Sequence, residues 1–130
     1  MSHHILVVED EPDINKTVSY NLANEGFHPI SALNLQEADD QLSSNNISLI
    51  ILDLMLPDGS GLDFCKTIKS SNMYKNIPVI IVTAKGDEVD KVVGFELGAD
   101  DYVTKPFSVR ELMLRIKAIL KRNMQEGTPK

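Results

Sequence analysis

In Ile47-Ser48-Leu49-Ile50-Ile51-Leu52-Asp53, branched aliphatic residues follow one another unbroken from Leu49 to Leu52, and the run ends on a carboxylate. The run is too short for a helix, and its continuity predicts a strand covered on both faces, as in a parallel sheet. Val79-Ile80-Ile81-Val82 has the same character and ends on Thr83, while Ile5-Leu6-Val7-Val8 runs into Glu9 and Asp10. Weaker runs, Pro29 to Leu33 and Tyr102-Val103 leading into Thr104, complete a set of five.

Helical patterns lie between the runs. Pro12 suits a first helical position, Ile14, Val18 and Leu22 share a face, and Gly26 is a left-handed stop. Asn34 with Glu37 reads as a cap pair for a second helix carrying Leu35, Ala38 and Leu42. A third starts near Gly61 with Leu62, Cys65 and Ile68. A fourth runs from about Asp87, through Val89, Val92, Val93 and Leu97, to Gly98. Ser108 and Glu111 form a capping box ahead of Leu112, Ile116 and Ile119. Five alternations of strand and helix predict an α/β fold with right-handed crossovers, without an internal linker or repeat. Residues from about Asn123 to Lys130 read as a tail or cut linker, which leaves 1–122 as the folded domain.

The 130 residues fit one domain, able to bury about 70% of its unfolded surface. A net charge of −6 makes backbone-driven nucleic-acid binding a poor expectation, and no apolar run approaches membrane-spanning length. Basic residues Arg110, Arg115, Lys117, Lys121 and Arg122 on the last helix read as a solvated or protein-binding face. The lone Cys65 reads as a small core hydrophobe, and without a leader ahead of Ile5 the cytoplasm is the expected compartment. His3-His4 projects to opposite sides if extended and is not read as a metal site.

Chemistry gathers where the strands end: Glu9 and Asp10 after the first, Asp53 on the third, Thr83 on the fourth, Lys105 after the fifth. In an open α/β sheet the ligand crevice lies outside the carboxyl ends of the strands, so these separated positions can converge. Three carboxylates so placed repel one another unless a cation joins them, and hard oxygen ligands select Mg²⁺. Lys105 and the Thr83 hydroxyl complete an electrostatic cradle that suits a phosphoryl group. Glu11 reads only as an acidic first helical turn.

Val8-Glu9-Asp10-Glu11, Leu52-Asp53-Leu54-Met55-Leu56-Pro57-Asp58-Gly59, Val82-Thr83-Ala84 and Gly98-Ala99-Asp100-Asp101-Tyr102-Val103-Thr104-Lys105-Pro106-Phe107 occur in an order and at spacings that resemble the receiver domain of bacterial two-component response regulators. The resemblance covers roughly residues 3 to 122, and Lys105 to Arg122 is most similar to the winged-helix transcription-factor branch. It implies a flavodoxin-like doubly wound (βα)5 sandwich with strand order 2-1-3-4-5. It further implies Asp53 as phosphoacceptor and Lys105 as phosphoryl partner. Glu9, Asp10, Asp53 and Met55 would form the Mg²⁺ site, and Thr83 with Tyr102 the switch. By the same resemblance Lys105-Pro106 is cis. A sensor histidine kinase or a small donor such as acetyl phosphate would supply the phosphoryl group, and DNA would be reached only through an output domain absent from this chain.

On this reading the chain is a signalling module rather than an enzyme. Aspartate-nucleophile phosphatases carry a second Asp two residues after the first, where this chain has Met55, and no Ser/Thr/Gly-rich loop for a flavin phosphate follows the first strand. Phosphorylation is expected to draw Thr83 inward and let Tyr102 rotate toward the interior. Acids dominate from Lys85 to Asp101 and bases from Lys105 to Arg122, a pattern that suits a two-fold homodimer formed on phosphorylation. Lys91 with Glu111 and Asp101 with Arg115 are the expected cross-subunit pairs.

Overall fold

The structure, a computed structural model, describes residues 3–84, 96 and 98–126. Five parallel strands form the sheet: β1 (His4–Val8), β2 (His28–Ala32), β3 (Leu49–Asp53), β6 (Val79–Ala84) and β7 (Asp101–Lys105), in the order β2-β1-β3-β6-β7. Counting only these strands, the order is the expected 2-1-3-4-5. A two-stranded antiparallel hairpin, β4 (Met55–Leu56) and β5 (Gly59–Ser60), stands apart and was not foreseen from the sequence.

The helices are α1 (Pro12–Asn24), α2 (Leu35–Ser44), α3 (Gly61–Ser70) and α4 (Val109–Glu126). Their ends follow the predicted chemistry. After α1, Gly26 turns at φ 91° and its N–H donates to the Ala23 carbonyl. The Glu37 N–H donates to Asn34 Oδ1 at 2.8 Å, and the Glu37 carboxylate reaches back to the Leu33 N–H at 2.9 Å. Ser108 accepts from the Glu111 N–H in the same way, and so does Ser60, a cap not singled out in the sequence, from the Asp63 N–H. The helix expected from Asp87 lies outside the described residues apart from Glu96, although its expected stop, Gly98, is left-handed at φ 101°. Helix α4 continues to Glu126, so four of the residues read as tail are helical. No Gly or Pro occurs before Gly127 to stop it.

Side chains alternate across the sheet and divide the core in two. Leu6, Val8, Ile50, Leu52 and Ile81 face Ala38, Leu42, Cys65 and Ile68 of α2 and α3. Ile5, Val7, Leu49, Ile51, Ile80 and Val82 face Val18, Leu22, Leu112, Ile116 and Ile119 of α1 and α4. Every residue of β3 is buried, which is why its sequence shows no polar alternation. Each fully buried Leu or Ile contributes about 1.5–3 kcal/mol, so the register is strongly specified. That register sets Val8 beside Leu52, Asp53 beside Val82 and Ala84 beside Lys105, and so aligns the carboxyl ends of four elements along one edge.

Candidate functional site

Lys105 ends β7, and its Nζ lies 3.0 Å from Asp53 Oδ2, 2.9 Å from Glu9 Oε1 and 3.1 Å from Glu11 Oε2. Asp53, the last residue of β3, is buried, and its Oδ1 accepts from the Met55 N–H at 3.2 Å. Glu9, just past β1, is buried and its Oε2 accepts from the Glu11 N–H at 3.1 Å. Carboxylate oxygens of Glu9, Asp10 and Asp53 all lie within 4.8 Å of one another, with Asp10 the most open of the three. Thr83 is 2% exposed, and its Oγ1 has no hydrogen-bond partner among the described residues.

Local structure holds these groups in place. Leu54 donates its N–H to the Val82 carbonyl at 3.3 Å, and Gly61 donates to the Leu54 carbonyl at 2.8 Å, which folds the chain back past Asp53. Asp58, in the turn of the β4–β5 hairpin, accepts from the Leu35 and Gln36 N–H groups at 2.8 and 3.0 Å and so ties this loop to the start of α2. These bonds to unpaired helix N–H groups hold the Asp58 carboxyl below its ordinary value. The Lys105-Pro106 peptide is cis.

Burial dominates the electrostatics. It raises the Glu9 carboxyl from 4.5 to about 7, against the lowering effect of its bonds to Lys105 and the Glu11 N–H. Burial alone would depress the Lys105 ammonium, but the hydrogen bonds it donates to Glu9 and Asp53 outweigh this and hold Lys105 above its ordinary value. One lysine thus serves three carboxylates, and a fourth, Asp10, stands beside them. A divalent cation fits this donor set: clustered carboxylate oxygens that repel one another, one of them pushed toward its neutral form by burial, are what a hard cation relieves.

The structure brings together Glu9, Asp10, Asp53 and Lys105, with Thr83 immediately after the strand position paired with Asp53. Met55 meets the site through its backbone, for the residue is 73% exposed and a thioether is no ligand for a hard cation, so only its carbonyl suits the metal role given to it. Tyr102 is 6% exposed and packs in the core on the α2 and α3 side. Arg115 Nη1 donates to Asp101 Oδ1 and Oδ2 at 2.9 and 2.8 Å within one chain, and Arg115 Nη2 lies 3.5 Å from Glu111 Oε2. Lys91 lies outside the described residues.

Two residues escaped the sequence reading. Glu11 is no mere first-turn acid, because Lys105, at the end of β7, reaches it across 94 positions of chain. Asn15, passed over in favour of Ile14, is the polar member of the buried α1 stripe Asn15, Val18, Leu22. The signal for Asn15 was its spacing of three and then four residues from Val18 and Leu22.

The chain matches the family described as response regulator receiver domain over residues 5–117. It is 49% identical over 122 residues to the phosphate regulon transcriptional regulatory protein PhoB of Escherichia coli (strain K12), which covers 94% of this chain and 53% of that protein. The chain therefore spans about half the length of the curated relatives it matches. Among solved structures it is similar to a CheY-like response regulator receiver domain protein from Methanospirillum hungatei JF-1, with a TM-score of 0.91, 26% identity and coverage of 98% of this chain and 100% of that one. It is also similar to the Francisella response regulator 1452 receiver domain, with a TM-score of 0.86, 32% identity and coverage of 93% and 98%.

Proposed function

Because the chain belongs to the response regulator receiver domain family, we propose that Asp53 accepts a phosphoryl group from a sensor histidine kinase or a small phosphodonor, and that this switches the protein surface. The observation that carries the reading is the convergence on Lys105: its ammonium holds Asp53 at 3.0 Å and Glu9 at 2.9 Å, beside the oxygens of Asp10.

In the transfer, the bond from phosphorus to the donor's nitrogen or acyl oxygen breaks and a bond from phosphorus to a carboxylate oxygen of Asp53 forms, giving an aspartyl phosphate. Lys105 binds the phosphoryl oxygens as they approach, and Thr83, with a buried hydroxyl lacking a partner among the described residues, donates to one of them. Glu9, Asp10, Asp53 and the Met55 carbonyl would hold Mg²⁺. Bound there, Mg²⁺ supplies neutralisation of the phosphoryl charge. The exposed Met55 side chain offers attacking water no hydrogen bond, which favours a phosphoryl lifetime of minutes to hours and leaves only slow self-dephosphorylation.

A phosphorylated chain would pair through the surface formed by the helix expected from Asp87, β7 and α4, with Asp101, Arg115, Glu111 and Lys91 setting register. Arg115 would have to exchange its own Asp101 for the partner's. The relatives' description as transcriptional regulatory proteins of about twice this length supports control of transcription in the cytoplasm, with DNA contacted by a separate output domain. Among the described residues no helix is long and apolar enough to cross a membrane.

Intact-mass measurement after acetyl phosphate and Mg²⁺ tests the reading. The parent should gain one phosphoryl group, and neither Asp53→Asn nor the parent in excess chelator should do so. Equal labelling of Asp53→Asn would remove Asp53 from this role.

A further inference from the structure

Asn15 is 2% exposed and saturates its hydrogen-bonding capacity inside the protein. The two Nδ2 protons are shared among the carbonyls of Glu9 at 3.0 Å, Val7 at 3.3 Å and Ala32 at 3.3 Å. Its Oδ1 accepts from the Ser31 hydroxyl at 2.7 Å and the Ser19 hydroxyl at 3.3 Å. The orientation of the amide is forced, because three carbonyl oxygens can be met only by an NH₂ group and the reversed amide would set oxygen against oxygen. One side chain thereby joins α1, the exit of β1 and the end of β2.

That junction bears on the acidic turn. The Glu9 N–H donates to the Ala32 carbonyl at 3.0 Å, and the same carbonyl accepts from Asn15. Glu9 is therefore held at its nitrogen by β2, at its carbonyl by Asn15, and at its two carboxylate oxygens by Lys105 and the Glu11 N–H. We propose that Asn15 is a positioning residue for the Glu9-Asp10 turn, clamping its backbone so that both carboxylates face Asp53 in the arrangement that accepts a divalent cation. The inference rests on the reading of Glu9, Asp10 and Asp53 as that cation's site. Groups that touch no ion but orient its ligands change metal affinity by roughly 10- to 100-fold when removed. Without the clamp, each ion bound must first order the turn.

The test is an NMR-monitored Mg²⁺ titration of the full chain, read at the amides of Glu9, Asp10 and Asp53. Asn15→Ala should raise the half-saturating Mg²⁺ concentration roughly tenfold or more. In acetyl phosphate labelling the Mg²⁺ requirement should rise by the same factor while the rate at saturating Mg²⁺ is kept. Leu42→Ala, in the opposite core, should lower the melting temperature and leave the Mg²⁺ titration where it was. Ser31→Ala, which removes one support of the amide and leaves the core intact, should shift the titration in the same direction by less. Parent-like titration of Asn15→Ala, or an equal shift in Leu42→Ala, would overturn the clamp. If Asn15→Ala does not fold, an unshifted Ser31→Ala overturns it. A parent chain that shows no response to Mg²⁺ sinks the cation-site reading itself, and the clamp with it.

Discussion

Gly61 packs directly against the backbone of Asp53: a Cβ at Gly61 would collide with the Asp53 carbonyl oxygen and lie 2.7 Å from the Leu54 Cα. The glycine is required here for lack of space and not for backbone freedom, because it opens α3 with no left-handed φ. Gly61→Ala must push the start of α3 away from the end of β3. We expect a stability loss of roughly 1–3 kcal/mol, the usual cost of overpacking, read from chemical denaturation. Acetyl phosphate labelling at a temperature where the variant is fully folded should also slow. A variant that labels at the parental rate would show that the position of Asp53 tolerates the shift.

Lys105 is the shared cation of Glu9, Glu11 and Asp53, so its neutral replacement separates two roles. Lys105→Gln should slow phosphorylation of Asp53 about 100-fold or more, the scale seen when one positioned donor to a developing charge is lost. Mg²⁺ affinity should not weaken, because the lysine is not a ligand and its loss frees carboxylate charge. Parallel losses of labelling and Mg²⁺ binding would instead place Lys105 in the folding of the site.

Asp58 supplies the pH dependence. Its carboxyl sits below the ordinary 3.8 because the charged form accepts from the Leu35 N–H and then the Gln36 N–H. A folded value lower than the unfolded one means stability is present above pH 3.8 and is lost as the pH falls through the folded value. Asp58→Ala should therefore melt below the parent at neutral pH, and the two melting curves should converge in acid. A gap that stays constant down to the acid limit would show that the charge of Asp58 does not stabilise α2.

The Asp101–Arg115 pair discriminates the intrachain from the intersubunit arrangement. Arg115 is more than a third exposed at its side chain, so within one chain the pair contributes no more than about 1 kcal/mol. Arg115→Asp should lower the melting temperature of the phosphate-free chain only slightly. Sedimentation of the phosphorylated chain should show a clear loss of dimer, restored by the added Asp101→Arg change. Dimerisation indifferent to both changes would show that the contact lies elsewhere.

Much of this protein was legible in one dimension because periodicity and end chemistry are local. Unbroken aliphatic runs at Leu49 and Val79 report burial on two faces, and Asn34, Ser108 and Gly26 mark helix ends through bonds made within four residues. That Glu9, Asp10, Asp53 and Lys105 gather at one edge, with Thr83 ending the neighbouring strand run, was readable because parallel strands place every strand end on one edge. What sequence alone left open depends on contacts between distant segments. Lys105 reaching Glu11, Asp58 capping a helix that begins 23 positions before it, Asn15 gathering the ends of β1 and β2, and Arg115 choosing its own Asp101 all rest on where whole elements pack. A long side chain has many partners within its reach, and only the packed sheet and its helices select among them. Tyr102 shows the same limit, because its burial depends on the packing of β7 into the core it shares with residues of α2 and α3, which no run of neighbouring residues encodes.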